Sequence, residues 1–118
     1  MDISIASGCF DPYRNDQRIQ ARLYNATWAY RVFLYLLGNQ VPYVVSVRYH
    51  LPVNFQPSVV QVERSVYNPS CRQQLWSSSD FYVSAVLTFN NGATSQIGAP
   101  VRIVEQIRQN QGAVDIVP

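Results

Sequence analysis

The sequence contains no lysine, and its nine basic residues are all arginines spread along the chain from Arg14 to Arg108. Without lysine, the side chains cannot form a Schiff base or supply a catalytic ammonium group, so lysine-dependent chemistry is excluded. The arginines form no dense run of the kind that follows a phosphate backbone. We therefore expect no nucleic acid among the partners.

Histidine, cysteine and glycine are also scarce. One histidine, His50, and two cysteines far apart in sequence cannot make the usual tetrahedral metal site. The five glycines form no phosphate-binding loop, and none flanks a serine in the way that a nucleophile elbow requires. We interpret His50 as a hydrogen-bonded strand residue rather than a general base. These absences predict a protein with no enzymatic activity, no metal and no cofactor.

Long apolar runs are absent as well. None approaches the roughly 20 residues that a helix needs to span a bilayer, and the start of the chain lacks a signal-peptide pattern. We expect a soluble cytoplasmic protein that does not contact membranes. In that compartment Cys9 and Cys71 are expected to be free buried thiols; the alternative is a disulfide between them.

What the sequence does have is enough apolar material for a core. Hydrophobic residues make up 47% of its 118 residues and aromatic residues 13%. The length is that of one ordinary domain. We predict a single domain over residues 1–108, followed by a C-terminal tail or the start of a linker over residues 109–118.

Two segments show the alternation of a half-buried strand. In the first, Val45, Val47, Tyr49 and Leu51 alternate with polar residues, and a second alternating segment runs over residues 81–89 to the turn Asn91-Gly92, which suits a tight hairpin. We predict burial of Val45, Val47, Tyr49, Phe81, Val83, Ala85 and Leu87. Further strands are predicted at 3–6, 19–23, 28–37, 59–64, 71–76, 93–97 and 101–107. About eight short strands indicate an all-β fold, an immunoglobulin-like β-sandwich.

Two local alternatives stay open. The arginines at positions 14, 18 and 22 have the spacing of a helix face, but the apolar period of two favours a strand there. Phe33 and Tyr35 are predicted to lie on one face of their strand, together with Arg31 and Arg48. That face is either an aromatic and arginine platform for a ligand or, as we favour, part of the core.

The segment Tyr49-His50-Leu51-Pro52-Val53-Asn54-Phe55 resembles the aromatic-His-Leu-His-x-Ser-Phe signature of YEATS domains. The likeness extends over about residues 28–92 and includes the Pro-containing link at 56–58, the strand after it and the closing hairpin. It looks closer to the prokaryotic YEATS-like branch, whose members often sit beside effector or signalling domains. The resemblance implies an immunoglobulin-like fold and, in chromatin proteins of the family, a clamp of aromatic side chains around acylated lysine.

The chain departs from that clamp at several positions. Phe55 matches the signature phenylalanine, but Pro52 replaces the second histidine and Ser78 stands where an aromatic would close the cage. Asn54 replaces the serine that bonds the acyl amide, and Trp76 lies two residues before Ser78. We therefore predict weak or absent binding of acyl-lysine. The candidate ligand-binding residues are Tyr49, His50, Asn54, Phe55, Trp76, Ser78, Ser79 and Asp80.

Residues 52–55 and 77–80 are predicted to be loops. Their position favours a cleft over a core role for the residues beside them, because binding side chains often lie on loops held by a rigid scaffold. We expect a non-catalytic module that binds a protein or a modified peptide at one loop end, and the resemblance to the prokaryotic branch implies that it is part of a larger bacterial protein. The alternatives are a true acyl-lysine reader and a structural or oligomerising β-module that pairs through a sheet edge.

Overall fold

The computed structural model describes residues 2–15, 17–110 and 114–118. Nine strands lie in these residues, together with a 3-10 turn at Val41–Tyr43 and one short helix, α1, at Val104–Gln109. The strands are β1 Ser4–Gly8, β2 Ile19–Tyr24, β3 Thr27–Leu37, β4 Val44–His50, β5 Val59–Glu63, β6 Gln73–Ser77, β7 Phe81–Phe89, β8 Thr94–Val101 and β9 Val114–Ile116. The segment 19–24 is a strand, as its period of two predicts, and not a helix.

The strands form two sheets, and the prediction of an all-β sandwich is confirmed. In the first sheet, Tyr30 of β3 pairs with both Ala21 of β2 and Ser77 of β6, so these two strands lie on opposite edges of β3. Phe33 pairs with β1 and β6 in the same way, which places β1 on the same edge as β2. The second sheet has the order β5-β4-β7-β8, antiparallel throughout.

Seven of the nine strands follow the order of an immunoglobulin sandwich, and β2 and β9 are additions at the edge of the first sheet. Strands β1, β3 and β6 correspond to A, B and E of that fold, and β5, β4, β7 and β8 correspond to C′, C, F and G. In constant-type domains a D strand pairs with the outer edge of E. Within the described part of the chain no strand occupies that place, so the outer edge of β6 is unpaired.

The core lies between the sheets, where alternate residues of each strand point inward. Val47, Tyr49, Val83, Ala85 and Leu87 are buried, as predicted from the alternation. The Tyr49 hydroxyl donates a 2.8 Å hydrogen bond to the Cys71 carbonyl. This bond ties β4 of the second sheet to the segment that leads into β6 of the first.

Two residues predicted to be buried are not. Val45 is 45% exposed, and Val44 takes the core position instead. A register irregularity between Val44 and Ser46 reverses the phase of the alternation at that point, which a strict period of two does not foresee. Phe81, at the start of β7, is half-buried and packs against the rim of the core.

The C-terminal region also differs from expectation. The strand predicted at 101–107 is wrong, because β8 ends at Val101 and the chain turns into α1. The residues predicted as a tail contain β9, which pairs in parallel with β2 and so belongs to the first sheet. Near the other end of the chain, an ion pair between Asp11 and Arg72 at 2.7 Å fixes the loop after β1 to the segment before β6.

Both cysteines are free and buried, as expected. Burial raises the pKa of the Cys9 thiol to about 12 and that of the Cys71 thiol to about 11. Both therefore remain protonated at neutral pH, and they behave as small apolar core residues.

Candidate functional site

A cleft of about 640 Å³ opens along the unpaired edge of β6. Its apolar floor consists of Leu51, Val60 and Leu75, which face the space between the two sheets. Neighbouring residues of β6 point to opposite faces, so the cleft continues around the strand onto the outer face of the first sheet. Its other lining residues are Arg22, Tyr24, Ala29, Asn54, Phe55, Gln56, Pro57, Gln73, Gln74, Trp76, Ser77, Ser78 and Ser79.

Five of the eight predicted site residues meet in this cleft. Asn54 and Phe55 come from the β4–β5 loop, and Trp76, Ser78 and Ser79 come from β6 and the turn after it. The sequence therefore indicated two of the segments that line the cleft, although they are more than twenty positions apart in the chain.

The other three predicted site residues lie elsewhere. Tyr49 is fully buried in the core, where its hydroxyl is bonded to Cys71. His50 lies within the second sheet and is paired with residues of β5 and β7. Asp80 accepts hydrogen bonds from the backbone N–H groups of Val104 at 3.0 Å and Ile103 at 2.7 Å. These bonds hold the pKa of the Asp80 carboxyl below its usual value, and they fix the first turn of α1.

The loops of the cleft are held by short-range hydrogen bonds. The Leu51 N–H donates to the Ser58 carbonyl at 2.7 Å, which closes the β4–β5 loop, and the Phe55 N–H donates to the Pro52 carbonyl at 3.0 Å. On the facing segment, the Ser77 hydroxyl donates to the Ser79 carbonyl at 2.7 Å. The two loops are therefore shaped before any ligand arrives.

The two aromatic residues of the cleft have different partners. The Phe55 ring lies 4.9 Å from that of Phe81 in a tilted arrangement, which anchors it to the rim of the core. The Trp76 indole instead contacts two guanidinium groups, with the Arg22 Cζ 4.4 Å and the Arg31 Cζ 5.0 Å from its ring centroid. Both distances are within the range of cation–π attraction.

The strand register explains how Trp76 reaches both arginines. Arg31 of β3 is paired directly with Trp76 of β6, and Arg22 of β2 is paired with Ala29, two residues before Arg31. All four residues lie on the outer face of the sheet. Ala29 of β3 lies beside Arg22 of β2 and two positions before Arg31 on its own strand. Its small side chain leaves room for the indole.

Sequence reasoning missed this arrangement. Arg31 was expected to share its face with Arg48, but Arg48 lies in β4 of the second sheet. Phe33 is buried, which agrees with the prediction that it belongs to the core and not to an exposed ligand platform. Arg31, on the same strand, contacts Trp76 instead. Pairing Arg31 with Trp76 required the β3–β6 register, which no local pattern in the sequence gives.

The side chains that line the cleft carry positive charge but no negative charge. Arg22 is a cleft residue, and neither aspartate nor glutamate is among the lining side chains. Among the described residues, the Nε atoms of Arg22 and Arg31 are buried and have no hydrogen-bond partner. Buried polar groups are normally paired, so two unpaired donors beside one indole are unusual. Neither arginine has an ion-pair partner among the described residues.

Across residues 2–15, 17–110 and 114–118, no three His, Cys, Asp or Glu side chains cluster as metal ligands do. In the same part of the chain, no helix is long and apolar enough to cross a membrane.

The sequence was also compared with known proteins. It matches no family model, and no curated protein resembles it significantly.

Proposed function

We propose that the chain is a non-catalytic recognition module that binds a protein segment or a modified peptide in the cleft along β6. The observation that carries this proposal is the cleft itself, in which an apolar floor, two preformed loops and an unpaired strand edge lie side by side. Ligand sites combine apolar walls with a few placed polar groups, and exposed strand edges recruit extended peptides.

The composition of the cleft supports binding rather than turnover. Its polar side chains are amides, hydroxyls and a guanidinium, none of which is a general base at neutral pH. His50, the one histidine, lies outside the cleft.

The test is an NMR titration of isotope-labelled protein with short peptides that are acidic, basic, neutral or acylated on lysine. We expect at least one peptide class to shift the resonances of residues 51–57 and 73–79. Asn54→Ala should weaken that binding severalfold, because it removes an amide from the cleft wall. The matched control Asn90→Ala, at the far end of β7, should leave the affinity unchanged.

Two results would contradict the proposal or redirect it. If no peptide class shifts the cleft resonances, the recognition proposal is wrong. If acetylated or crotonylated lysine peptides bind with micromolar affinity, and Phe55→Ala abolishes this binding while the fold is retained, the module is an acyl-lysine reader. We expect weak binding of those peptides, since the Phe55 ring is committed to Phe81 and Ser78 supplies no second aromatic wall.

A further inference from the structure

The unpaired edge of β6 lies where an immunoglobulin sandwich has its D strand. Strands in a sheet are spaced about 4.8 Å apart, so a strand added to this edge would run along the cleft. On the opposite side of the sandwich, β1 and β8 contact each other and close the gap between the sheets. The β6 side is therefore the open one, and its free backbone groups offer the hydrogen bonds of a new strand.

The side chains around this edge prescribe a pattern for the added strand. Leu75 points to the apolar floor between the sheets, and Trp76 points to the outer face, where Arg22 and Arg31 lie. Because successive residues of a strand alternate between its faces, the added strand would be apolar on one face and meet the guanidinium groups with the other.

We infer that the β6 edge accepts an extended acidic segment of a partner protein as an additional strand, with its carboxylates bound by Arg22 and Arg31 beside Trp76. This inference rests on the proposed function and specifies its ligand. Neither arginine has an ion-pair partner among the described residues, and no carboxylate lines the cleft, so an acidic segment supplies the missing charge. Guanidinium groups bind carboxylates through paired hydrogen bonds, and their stacking on the indole orients them before the ligand arrives.

A second copy of this chain does not fit the same requirement. Its seven acidic residues are Asp2, Asp11, Asp16, Glu63, Asp80, Glu105 and Asp115. No two of them are two positions apart, so no segment of the chain places two neighbouring carboxylates on one face of a strand, as binding to both arginines requires. Its net charge of +2 also disfavours contact between two copies of the arginine face.

The test uses three synthetic heptapeptides in which valine alternates with glutamate, glutamine or lysine. Trp28→Phe leaves Trp76 as the only tryptophan, so its fluorescence reports binding at the cleft. We expect the valine–glutamate peptide to bind about tenfold more tightly than the glutamine peptide, which corresponds to 1.4 kcal/mol. The preference should shrink at about 1 M salt, where the screening length is about 3 Å.

Variants separate the charge from the strand edge. Replacing both Arg22 and Arg31 with glutamine should abolish the preference for glutamate over glutamine. Arg48→Gln, which changes an arginine of the other sheet, should leave that preference intact. N-methylation of alternate residues of the peptide should abolish binding when it blocks the amides that face β6, because a strand is held by its backbone hydrogen bonds.

Three other outcomes would contradict the inference in whole or in part. If the glutamate and glutamine peptides bind equally well on wild-type protein at low salt, the acidic ligand is wrong, while recognition in the cleft still stands. If no heptapeptide binds, or if binding coincides with dimerisation in sedimentation, strand addition by an acidic partner is wrong. The salt comparison on wild-type protein remains decisive even if the double variant does not fold.

Discussion

The hydrogen bond between Tyr49 and Cys71 gives a quantitative test of how the two sheets are joined. Tyr49 is fully buried, and its hydroxyl donates to the Cys71 carbonyl over 2.8 Å. Tyr49→Phe removes only the hydroxyl and keeps the ring, so the loss of packing is small. The carbonyl that remains is buried without its donor, and such a group costs about 1–3 kcal/mol.

This cost converts into a measurable shift in melting temperature. For a domain of this size, 1 kcal/mol corresponds to about 4 °C, so the variant should melt about 4–12 °C below the wild type. The assay is thermal unfolding followed by circular dichroism. Tyr82→Phe is the matched control, because Tyr82 is 61% exposed on the outer face and the change there should stay within about 0.5 kcal/mol. Equal melting temperatures for the two variants would refute the assigned role of the Tyr49 hydroxyl.

Three further changes test other parts of the fold. Val83→Asp places an unpaired charge in the core and should unfold the domain, whereas Ser84→Asp on the outer face of the same strand should fold, as circular dichroism would show. Gly38→Ala should lower the free energy of unfolding, measured by urea titration, by about 1–3 kcal/mol or more. Gly38 has a φ of +130°, and an added Cβ would collide with the Asp2 backbone. Partial burial favours the neutral form of Asp11, but hydrogen bonds from the Tyr13 N–H and the Arg72 guanidinium outweigh it and lower the pKa of the carboxyl. The stability from this pair is therefore present above the ordinary aspartate pKa of about 3.9 and is lost as the pH falls below it, so Asp11→Asn should show a shallower acid-induced loss of stability than the wild type in urea titrations.

Much of the sandwich could be predicted because its strands carry local signals. The alternation of residues 81–89 and the turn Asn91-Gly92 identified the β7–β8 hairpin, and the period of two identified β2. The alternation failed at Val45, because a register irregularity of one residue reverses the faces and leaves no mark in the apolar pattern.

The parts that could not be predicted depend on contacts between distant segments. The helix α1 starts where Asp80, more than twenty positions earlier, accepts hydrogen bonds from Ile103 and Val104, so its first turn is fixed by a residue that no local capping pattern includes. The pairing of Arg31 with Trp76 likewise depends on the register of β3 against β6. A sequence pattern records what lies on one face of a strand, but not which strand lies beside it.

The sequence predicted only part of the cleft. Asn54, Phe55 and Ser78 lie on loops, which were expected to carry the site. The sequence allowed Tyr49 to be either a core residue or a cleft residue, because a tyrosine in either position has the same pattern of neighbours in the chain. Its burial could be decided only once the second sheet was packed against the first.

The central claim is that an extended acidic segment pairs with the free edge of β6, and amide hydrogen exchange tests it most directly. The measurement compares exchange in the free protein with exchange in the presence of the valine–glutamate heptapeptide, residue by residue. The account predicts new protection for edge-facing amides within Gln73–Ser77, and no change at the outer edges of β5 and β8. Unchanged exchange across Gln73–Ser77 at saturating peptide, or protection that arises only at β5 or β8, would contradict it.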